Sequence, residues 1–574
     1  MATETLQPGV ISAPPLSTQQ KNIELDSATE KSVNRLAFWN FFVAFAAFAL
    51  ALPMGAYQVL ERSGMFPELS NALLYYASTS THGVLMAYVL STFFIMGFGY
   101  HTAAHSLKQG FWSRGFSWFG FGLATLGVVF AAIALLSGNA SVMYTFYPPE
   151  MAHPIFYIGA AMLVIGSWFW CADMVIAVVI WKKKNPGKPV PVIMFGTVMN
   201  ALLWLWTSLG VGSEVIFQLI PVSLGWADTL DPGLSRTLFS ETLHAIVYFW
   251  LFPAYLVMYG ILPKEAGGKL FCDSMARVSF VMLFIFSVPI GFHHLYMDPQ
   301  QAAGWKLLHM FGTFMVAVPS LLTGFTVIAS MEIAGRMRGG TKGIFGWMKA
   351  LDYTNPVVLA GTLSLLMLTV GGWGGVVNAS YALDSVVHNT QWIPGHFHLI
   401  YGGTTVIMYF AAAYWFWPNV TGHKIFSKKM ALWQLWLWFI GMWVTTMPWH
   451  YLGIIGQPRR VDTVGAYQQA GELLKTWDLS MLIMNFGAVT LLISGLLFIL
   501  NLVLSVRRPV TDPDQRKIEY AVPLHPPLRV PYPLNSLSFW NWTMLVYLVG
   551  SYGYPVIQFW FIGTPESIPF GYGT

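Results

Sequence analysis

Residues 392–417 read WIPGHFHLIYGGTTVIMYFAAAYWFW, a run that contains no Lys, Arg, Asp or Glu. At about 1.5 Å of rise per residue, an α-helix of this length crosses the roughly 30 Å hydrocarbon core of a membrane. The run nevertheless carries His396 and His398, and ionisable side chains inside a membrane are costly and usually functional. It therefore predicts a membrane-spanning helix that holds part of a functional site.

Apolar runs of this kind recur along the whole chain. Counting the quoted one, they begin near residues 36, 74, 114, 155, 192, 237, 277, 305, 355, 393, 430, 478 and 538. The composition agrees, since 55% of the residues are hydrophobic and only 10% are charged. We therefore predict an all-α fold, a polytopic membrane bundle of about thirteen transmembrane helices.

The chain divides into a short tail and one large domain. Residues 1–35 are polar and lack the apolar core of a signal peptide, so we predict a flexible, uncleaved cytoplasmic N-terminal tail. The longest polar stretches beyond it, 457–478 and 507–535, could not fold alone. Residues 36–574 are therefore expected to form a single transmembrane domain.

The basic residues predict the orientation of the bundle. With the N-terminus inside, the tail and the loops after every second helix hold 24 of the 30 Lys and Arg residues. Cytoplasmic loops carry this excess, so the N-terminus is expected in the cytoplasm and the C-terminus outside. The net charge of +5 is then an orientation signal, and nothing in it supports nucleic-acid binding.

Histidine is the residue type that could hold a metal here. The two cysteines, Cys171 and Cys272, are too few and too badly placed for a disulfide framework or a thiolate site. Six histidines lie within or at the ends of predicted spans and, by the predicted topology, at the outer third of the membrane: His82, His244, His293, His294, His396 and His398. Because imidazole suits iron and copper, the set indicates metal.

The spacing of the histidines predicts how they are shared. His396 and His398 are two residues apart, which turns them about 200° from each other on a helix and assigns them to different cofactors. A haem iron with one axial histidine keeps an open position for oxygen, whereas one with two is saturated. His244, His293 and His294 would give three imidazoles to one ion, which favours copper or an open zinc site.

Other polar residues are expected near these ligands. Tyr248 follows His244 by four residues, on the same helical face, and is a candidate donor of one electron and one proton. The predicted outer loops contribute two pairs that are placed to meet haem propionates: Arg459 and Arg460, and Asp384 and His388. Glu241, one turn before His244, is a carboxylate in an apolar span and a possible proton site.

These residues resemble subunit I of the haem-copper oxidases, most closely the B family, whose best-known members are the ba-type cytochrome c oxidases. The resemblance covers nearly the whole chain. Its motifs are Thr81-His82-Gly83, His244-x-Ile-Val-Tyr248, Gly291-Phe-His-His294, Val318-Pro-Ser320, Val387-His-Asn-Thr390, Pro394-Gly-His-Phe-His398 and Pro458-Arg-Arg460.

The resemblance implies a role for each histidine. His82 and His398 look like the axial ligands of a low-spin haem of b type, and His396 looks like the ligand of a high-spin haem of a type. His244, His293 and His294 look like the Cu-B ligands. The family's covalent bond between the first copper histidine and the tyrosine four residues later carries over to His244 and Tyr248.

The implied function is that of a terminal respiratory oxidase in a prokaryotic cell membrane. The chain would be a cytochrome c oxidase subunit that reduces dioxygen to water, takes protons from inside and pumps some of them. The implied partners are a subunit II that carries Cu-A, a soluble cytochrome c as donor and a small accessory subunit, within the lipid bilayer.

Two stripes of hydroxyl groups predict the route of the protons. Tyr248, Tyr255 and Tyr259 lie along one face of the sixth helix, and Ser320, Thr323 and Thr326 along one face of the eighth. Such stripes can hold a water chain, although serine and threonine often bond only their own helix. The set resembles the single, K-like proton route of the B family, with Cys272 where that family commonly has a serine near the inner mouth.

The sixth helix also departs from the family. Leu243 and Ala245 flank His244 in place of the usual glycine and proline, and losing the proline predicts a more regular helix. Ile246 stands where the A family carries its proton-gating glutamate. Two alternatives stay open, a nitric oxide reductase of the same superfamily, for which Glu241 speaks, and a secondary transporter, which would hold no haem.

Overall fold

The computed structural model describes residues 25–299, 301–462, 472–509, 517–527 and 529–561, and most of them are helical. Thirteen longer helical segments follow one another along these residues, with short helices such as Gly346–Ala350 and Tyr381–Val387 between them. In order they are α1 Ser27–Arg62, α2 Ala72–Leu107, α3 Arg114–Leu136, α4 Pro154–Lys184, α5 Val192–Ser223, α6 Pro232–Glu265, α7 Asp273–Phe286, α8 Ala303–Met337, α9 Pro356–Ala379, α10 Trp392–Thr421, α11 Lys428–Ile454, α12 Glu472–Ser505 and α13, residues 537–561.

The helical prediction is confirmed, and each predicted span coincides with one of these segments. Ten of them, in the part of the chain that the structure describes, are both long and apolar enough to cross a membrane. The other three are α7, α11 and α13, which are short, less apolar or interrupted. The chain is thus an all-α multi-pass membrane protein, and its thirteen segments are roughly consistent with the predicted number of spans.

The first helix begins earlier than the sequence predicts. Asp26 accepts hydrogen bonds from the backbone N–H groups of Ala28 and Thr29 and so caps α1 at Ser27. Val33 and Asn34 are already buried, and Asn34 donates to the carbonyl of Asn419. The predicted tail of residues 1–35 is therefore wrong over residues 27–35, because a polar helix start that packs on the bundle lacks the apolar run used to place the boundary. Residues 1–24 of the predicted tail lie outside the described residues.

Small residues let two outer helices pack closely. A Cβ atom added to Gly127 of α3 would lie 2.5 Å from the carbonyl oxygen of Gly159 in α4, and the reverse substitution gives the same distance. Membrane helices commonly associate through such glycine contacts. The hairpin of α3 and α4 is therefore held by backbone proximity rather than by interlocking large side chains.

Several helices are irregular at particular points. Wider π-helical turns occupy Leu85–Leu90 in α2, Val215–Leu219 in α5, Leu399–Val406 in α10 and Val549–Gly553 in α13. The regular helix predicted around His244 is wrong, because α6 is interrupted at that residue and the Val247 N–H bonds the His244 carbonyl three residues back, at 3.0 Å. The interruption occurs without a proline, so it follows from how the His244 region packs.

Candidate metal centres and their surroundings

Three histidines converge on one point between α6 and the loop after α7. The ligand atoms of His244, His293 and His294 lie within 4.8 Å of one another. Nδ1 of His244 is 3.1 Å from Nε2 of His294, so these two nitrogens face the same space. His293 and His294 are adjacent in a short 3-10 turn, Gly291–Leu295, which presents both rings to His244 from one side. The arrangement suits a single metal ion with nitrogen ligands and an open position.

A neighbouring hydroxyl fixes the orientation of one ligand. Nδ1 of His293 is 3.0 Å from Oγ1 of Thr313 on α8, and this hydroxyl donates to the carbonyl of His309 at 2.6 Å. The Thr313 oxygen therefore accepts the Nδ1–H of His293, which leaves Nε2 as the free base that a metal requires. The donor set contains no carboxylate among the described residues, and this favours copper.

Tyr248 lies beside the three histidines. Its ring centre is 5.1 Å from that of His244, with an angle of 42° between the rings, and only 8% of the residue is exposed. The i, i+4 relation predicted from the sequence survives the interruption of α6. A phenol thus stands next to the metal ligands.

A second pair of histidines faces each other across α2 and α10. The ring centres of His82 and His398 are 6.3 Å apart and the rings are nearly parallel, at 15°. Nδ1 of His82 is 2.9 Å from the Ala51 carbonyl, and Nδ1 of His398 is 2.8 Å from the Pro394 carbonyl. Each Nδ1–H is therefore used, and each Nε2 is available to a metal ion between the rings.

The surroundings of this pair fit a large planar ligand. His82 and His398 line an apolar cavity of about 1770 Å³, including its open mouth, together with Arg62, Gln457, Arg459 and Arg460. Gly55 of α1 touches His82, and a Cβ atom there would lie 2.7 Å from the imidazole. Apolar walls, two axial nitrogens and basic groups at one end are what a haem with two propionates needs.

His396 belongs to a different environment from His398, as their spacing predicts. Nδ1 of His396 is 2.9 Å from the Gly371 carbonyl of α9, and glycines at 374 and 375 leave room for the ring, since a Cβ atom at either would lie about 3.0–3.1 Å from it. The ring also lies in electrostatic range of His244. The free Nε2 of His396 can therefore serve a separate ion near the three-histidine site.

The predicted propionate residues sit in two loops that contact each other, before α10 and after α11. His388 pairs with Asp384 at 2.7 Å, and Arg459 donates to the side chain of Asn389 at 3.0 Å. Burial raises the pKa of Asp384, against the opposing effects of His388 and Arg459. Burial and the adjacent Arg460 lower the pKa of Arg459 to about 10. The guanidinium groups of Arg459 and Arg460 in these loops are therefore not fully balanced by nearby negative charge.

The hydroxyl stripes predicted on the inner side meet each other. Tyr255 donates to Ser320 at 3.1 Å, and Tyr259 donates to Thr323 at 2.7 Å, so α6 and α8 face each other at matching depth. Thr326 bonds only its own helix, at the Leu322 carbonyl. Cys272 precedes α7 at the inner end and is partly exposed. Tyr248 continues the line toward the histidines, in electrostatic range of Tyr255.

Glu241 is fully inside the protein, on α6 three residues before His244. Only 7% of it is exposed, and its Oε1 atom has no hydrogen-bond partner among the described residues. It lies outside the group of three histidines that share one point. The carboxylate is therefore a neighbour of the metal ligands rather than one of them.

Sequence reasoning missed three residues of these sites. Arg62 lines the cavity beside His82 and donates to the Pro458 carbonyl at 3.0 Å. Ser279 of α7 faces Tyr259, and Ser330 of α8 bonds the Phe271 N–H beside Cys272. Arg62 could have been found as a basic residue on the outer side, where few occur. The serines gave no signal, because single hydroxyls are common in membrane helices.

Comparison with known proteins gives one family over most of the chain. Residues 35–490 match the family described as "Cytochrome C and Quinol oxidase polypeptide I". The chain is 38% identical to cytochrome c oxidase subunit 1 of Thermus thermophilus over 531 residues, which is 90% of this chain and 93% of that protein. It is 25% identical to cytochrome c oxidase subunit 1 of Bacillus subtilis, over 71% of this chain and 64% of that protein.

A solved structure shares the fold. The chain is similar to a protein whose structure, determined by cryo-EM, is described as a heme-copper terminal oxidase dimer. The TM-score is 0.86 at 32% sequence identity, and the match covers 96% of each chain.

Proposed function

The chain belongs to the cytochrome c and quinol oxidase polypeptide I family, and from that premise we propose that it is the catalytic membrane subunit of a cytochrome c oxidase that reduces dioxygen to water. The observation that carries the proposal is the convergence of His244, His293 and His294 on one point beside Tyr248. A transporter has no need of such a site. The prediction of a terminal oxidase is confirmed at the level of the family.

The histidines divide among three metals. His82 and His398 would hold a low-spin haem, of b type, and His396 would hold a high-spin haem, of a type. His244, His293 and His294 hold Cu-B. When bound, these groups carry electrons and provide an open iron coordination position at which oxygen reacts. The proposal is supported by the hydrogen bonds that occupy Nδ1 of His82, His396 and His398 and leave Nε2 free.

The protein's own residues supply protons and hold charge around these groups. Tyr248, covalently bonded to His244, gives one proton and one electron to the reaction. Protons reach Tyr248 from the inner side along the Tyr255–Ser320 and Tyr259–Thr323 pairs, with Thr326 and Cys272 toward the entrance. Arg459, Arg460, Asp384 and His388 bind the haem propionates, and Glu241 is a proton site near the copper.

The partners and the orientation follow from the family and the charge pattern. Subunit II brings Cu-A and receives electrons from a soluble cytochrome c at the outer face, and a small accessory subunit completes the complex. The N-terminus lies in the cytoplasm of a prokaryotic cell and the C-terminus outside, because the inner loops carry most Lys and Arg residues. Part of the energy is conserved by proton pumping.

A spectrum and a metal analysis of the purified complex test this function. We expect two haems per chain in a reduced-minus-oxidised spectrum, one of each type after extraction into pyridine, and copper bound by this chain. His398→Ala should remove the low-spin signal, whereas His423→Ala, at an exposed loop histidine, should leave both signals unchanged. A protein without Soret bands would contradict the proposal. Non-haem iron in place of copper would instead support the nitric oxide reductase, the alternative for which Glu241 speaks.

A further inference from the structure

Two buried carboxyl groups lie where α5 and α6 pack against each other. Glu214 of α5 is fully buried, and Glu241 of α6 is 7% exposed. One oxygen of each, Oε2 of Glu214 and Oε1 of Glu241, has no hydrogen-bond partner among the described residues. Buried polar atoms are nearly always paired, and an ionisable group inside a membrane is costly. Both carboxyls therefore need a reason to be there.

The contact between α5 and α6 places the two carboxyl groups one after the other along the helix axes. A Cβ atom on Gly210 would lie 2.8 Å from Cβ of Glu241, so the Glu241 side chain packs directly on the Gly210 backbone. Glu214 follows Gly210 by one turn, about 6 Å along α5. It accepts a hydrogen bond from Ser235, which precedes Glu241 by six residues on α6. Since α5 runs outward and α6 inward in the predicted orientation, Glu214 is the outer member of the pair.

The inner end of the pair reaches the copper ligands. Glu241 precedes His244 by three residues and lies in electrostatic range of the Tyr552 hydroxyl. That hydroxyl accepts the N–H of Gly291 at 3.2 Å, in the turn that carries His293 and His294. A proton held on Glu241 is therefore close to the site where oxygen is reduced.

The outer end of the pair reaches charged groups. Glu214 lies in electrostatic range of Tyr147, a half-buried tyrosine whose buried hydroxyl has no partner among the described residues. The guanidinium of Arg236 lies 5.3 Å from the ring centre of Tyr147 and pairs with Asp298 at 2.8 Å. Arg460, which lines the haem cavity, also interacts with Tyr147. A proton leaving Glu214 thus meets a polar path toward the outer loops.

The backbone supplies an independent indication. The π-helical segment Val215–Leu219 begins at the residue after Glu214. The segment in α10 begins at the residue after His398, the one in α2 begins three residues after His82, and Tyr552 lies inside the one in α13. Single π turns within α-helices often mark functional sites. Glu214 occupies the position that a haem-ligating histidine occupies in α10.

We propose that Glu241 and Glu214 carry pumped protons from the copper site toward the outer face. In each passage the O–H bond of Glu214 breaks and its proton moves to water beside Tyr147. The proton of Glu241 then moves to the Glu214 carboxylate, through water within the gap of about one helical turn. Glu241 regains a proton from water on the side of His244. No electron moves in these steps, and the net result is one proton displaced outward.

This inference rests on the proposed oxidase function and is tested with the complete enzyme in lipid vesicles. We expect Glu214→Gln to keep oxygen consumption when the membrane is made permeable to protons, and both Glu214→Gln and Glu241→Gln to lose proton release on the outer side. Reduction of the parent enzyme should also change the infrared C=O band of a protonated carboxyl, and each variant should lose part of that band. The conservative Glu214→Asp and Glu241→Asp should shift the band and keep some release.

Asp173 provides a matched control. It is a buried carboxyl on α4 whose oxygens accept from Tyr100, Trp112 and Ser117, so it is fully paired. Asp173→Asn should leave proton release and the infrared band unchanged. The inference would be overturned if both glutamine variants kept full proton release and an unchanged infrared band. If the glutamine variants do not assemble, the same result in both aspartate variants would overturn it. Either result would leave the proposed function standing. A parent enzyme that binds haem but never consumes oxygen would contradict the proposed function as well.

Discussion

Thr313 contacts one histidine of the proposed copper site through a single hydrogen bond. Its hydroxyl accepts the Nδ1–H of His293 and so selects which ring nitrogen can bind metal. We expect Thr313→Val to weaken copper binding by about 10- to 100-fold, the usual effect of losing such a partner. Copper measured per haem iron during dialysis against a chelator checks this. Thr369→Val, at an exposed threonine of α9, serves as control, and equal copper retention in both variants would contradict the role of Thr313.

The position of Tyr248 beside His244 leads us to expect a covalent bond between the two side chains. Its ring centre lies 5.1 Å from that of His244, so the two rings are direct neighbours. We expect mass spectrometry of the peptide 237–263 from active enzyme to show a cross-linked species. Tyr248→Phe should slow turnover at least about ten-fold, or about 1.4 kcal/mol in the barrier, while the spectrum of the low-spin haem persists. Recovery of unmodified peptide alone would remove the proposed bond.

The hydroxyl groups of the proposed proton route differ in whether they connect α6 to α8. Tyr259 and Thr323 bond each other across two helices, whereas Thr326 bonds only its own backbone. We expect Tyr259→Phe and Thr323→Val to slow turnover by roughly ten-fold or more, because each breaks the cross-helix contact. Thr326→Val should have a smaller effect. Oxygen consumption together with proton uptake measures the difference, and a Thr326→Val defect as large as the others would place the route elsewhere.

Among the helices, α1 packs against His82, which we propose as a ligand of the low-spin haem. Gly55 lies against the imidazole of His82, and a Cβ atom there would come within 2.7 Å of the ring. We expect Gly55→Ala to displace His82 and to reduce the amount of low-spin haem bound. Gly122→Ala in α3, where a Cβ atom meets nothing within 4 Å, is the matched control. The intensity of the low-spin haem band in the reduced spectrum measures the outcome. A band of full intensity in Gly55→Ala would show that α1 moves to make room for the added methyl group.

The helices also show how far sequence reasoning reaches. Apolar length places all thirteen segments, because membrane helices must satisfy their backbone internally and so appear as long apolar runs. It does not place the π turns after His398 and Glu214 or the interruption at His244. Those features depend on contacts between helices that are distant along the chain. The early start of α1 was missed for the opposite reason, since its first turns are polar.

The histidines illustrate the same limit at the site. Spacing alone separates His396 from His398, and the structure bonds them to different carbonyls, on α9 and within α10 respectively. Spacing could not show that Thr313 orients His293, because the two lie on different elements. Nor could it show that Glu214 faces the helix of Glu241, which requires the packing of Gly210.

The whole molecule is expected to sit with its basic loops in the cytoplasm. A green fluorescent protein fused to the N-terminus should therefore stay in the cytoplasm and fluoresce. One fused to the C-terminus should be exported and should not fluoresce. The orientation of α5 and α6 depends on this result, since it decides that Glu214 is the outer carboxyl. Fluorescence from C-terminal fusions would reverse that assignment. A fusion to the loop between α4 and α5, which carries four lysines, provides a cytoplasmic reference.

The glycine contact between α3 and α4 bears on how a cell can build this chain. Gly127 and Gly159 touch without the help of any metal-binding residue, so this hairpin can close as soon as both helices have left the ribosome. In the proposed oxidase, α2 and α10 would supply the two ligands of one haem, and we expect their final positions to depend on the arrival of that haem. During haem starvation we expect nascent chains in which the α3–α4 hairpin is closed but α2 and α10 are not in their final positions. A membrane quality-control protease would recognise such chains by α2 and α10.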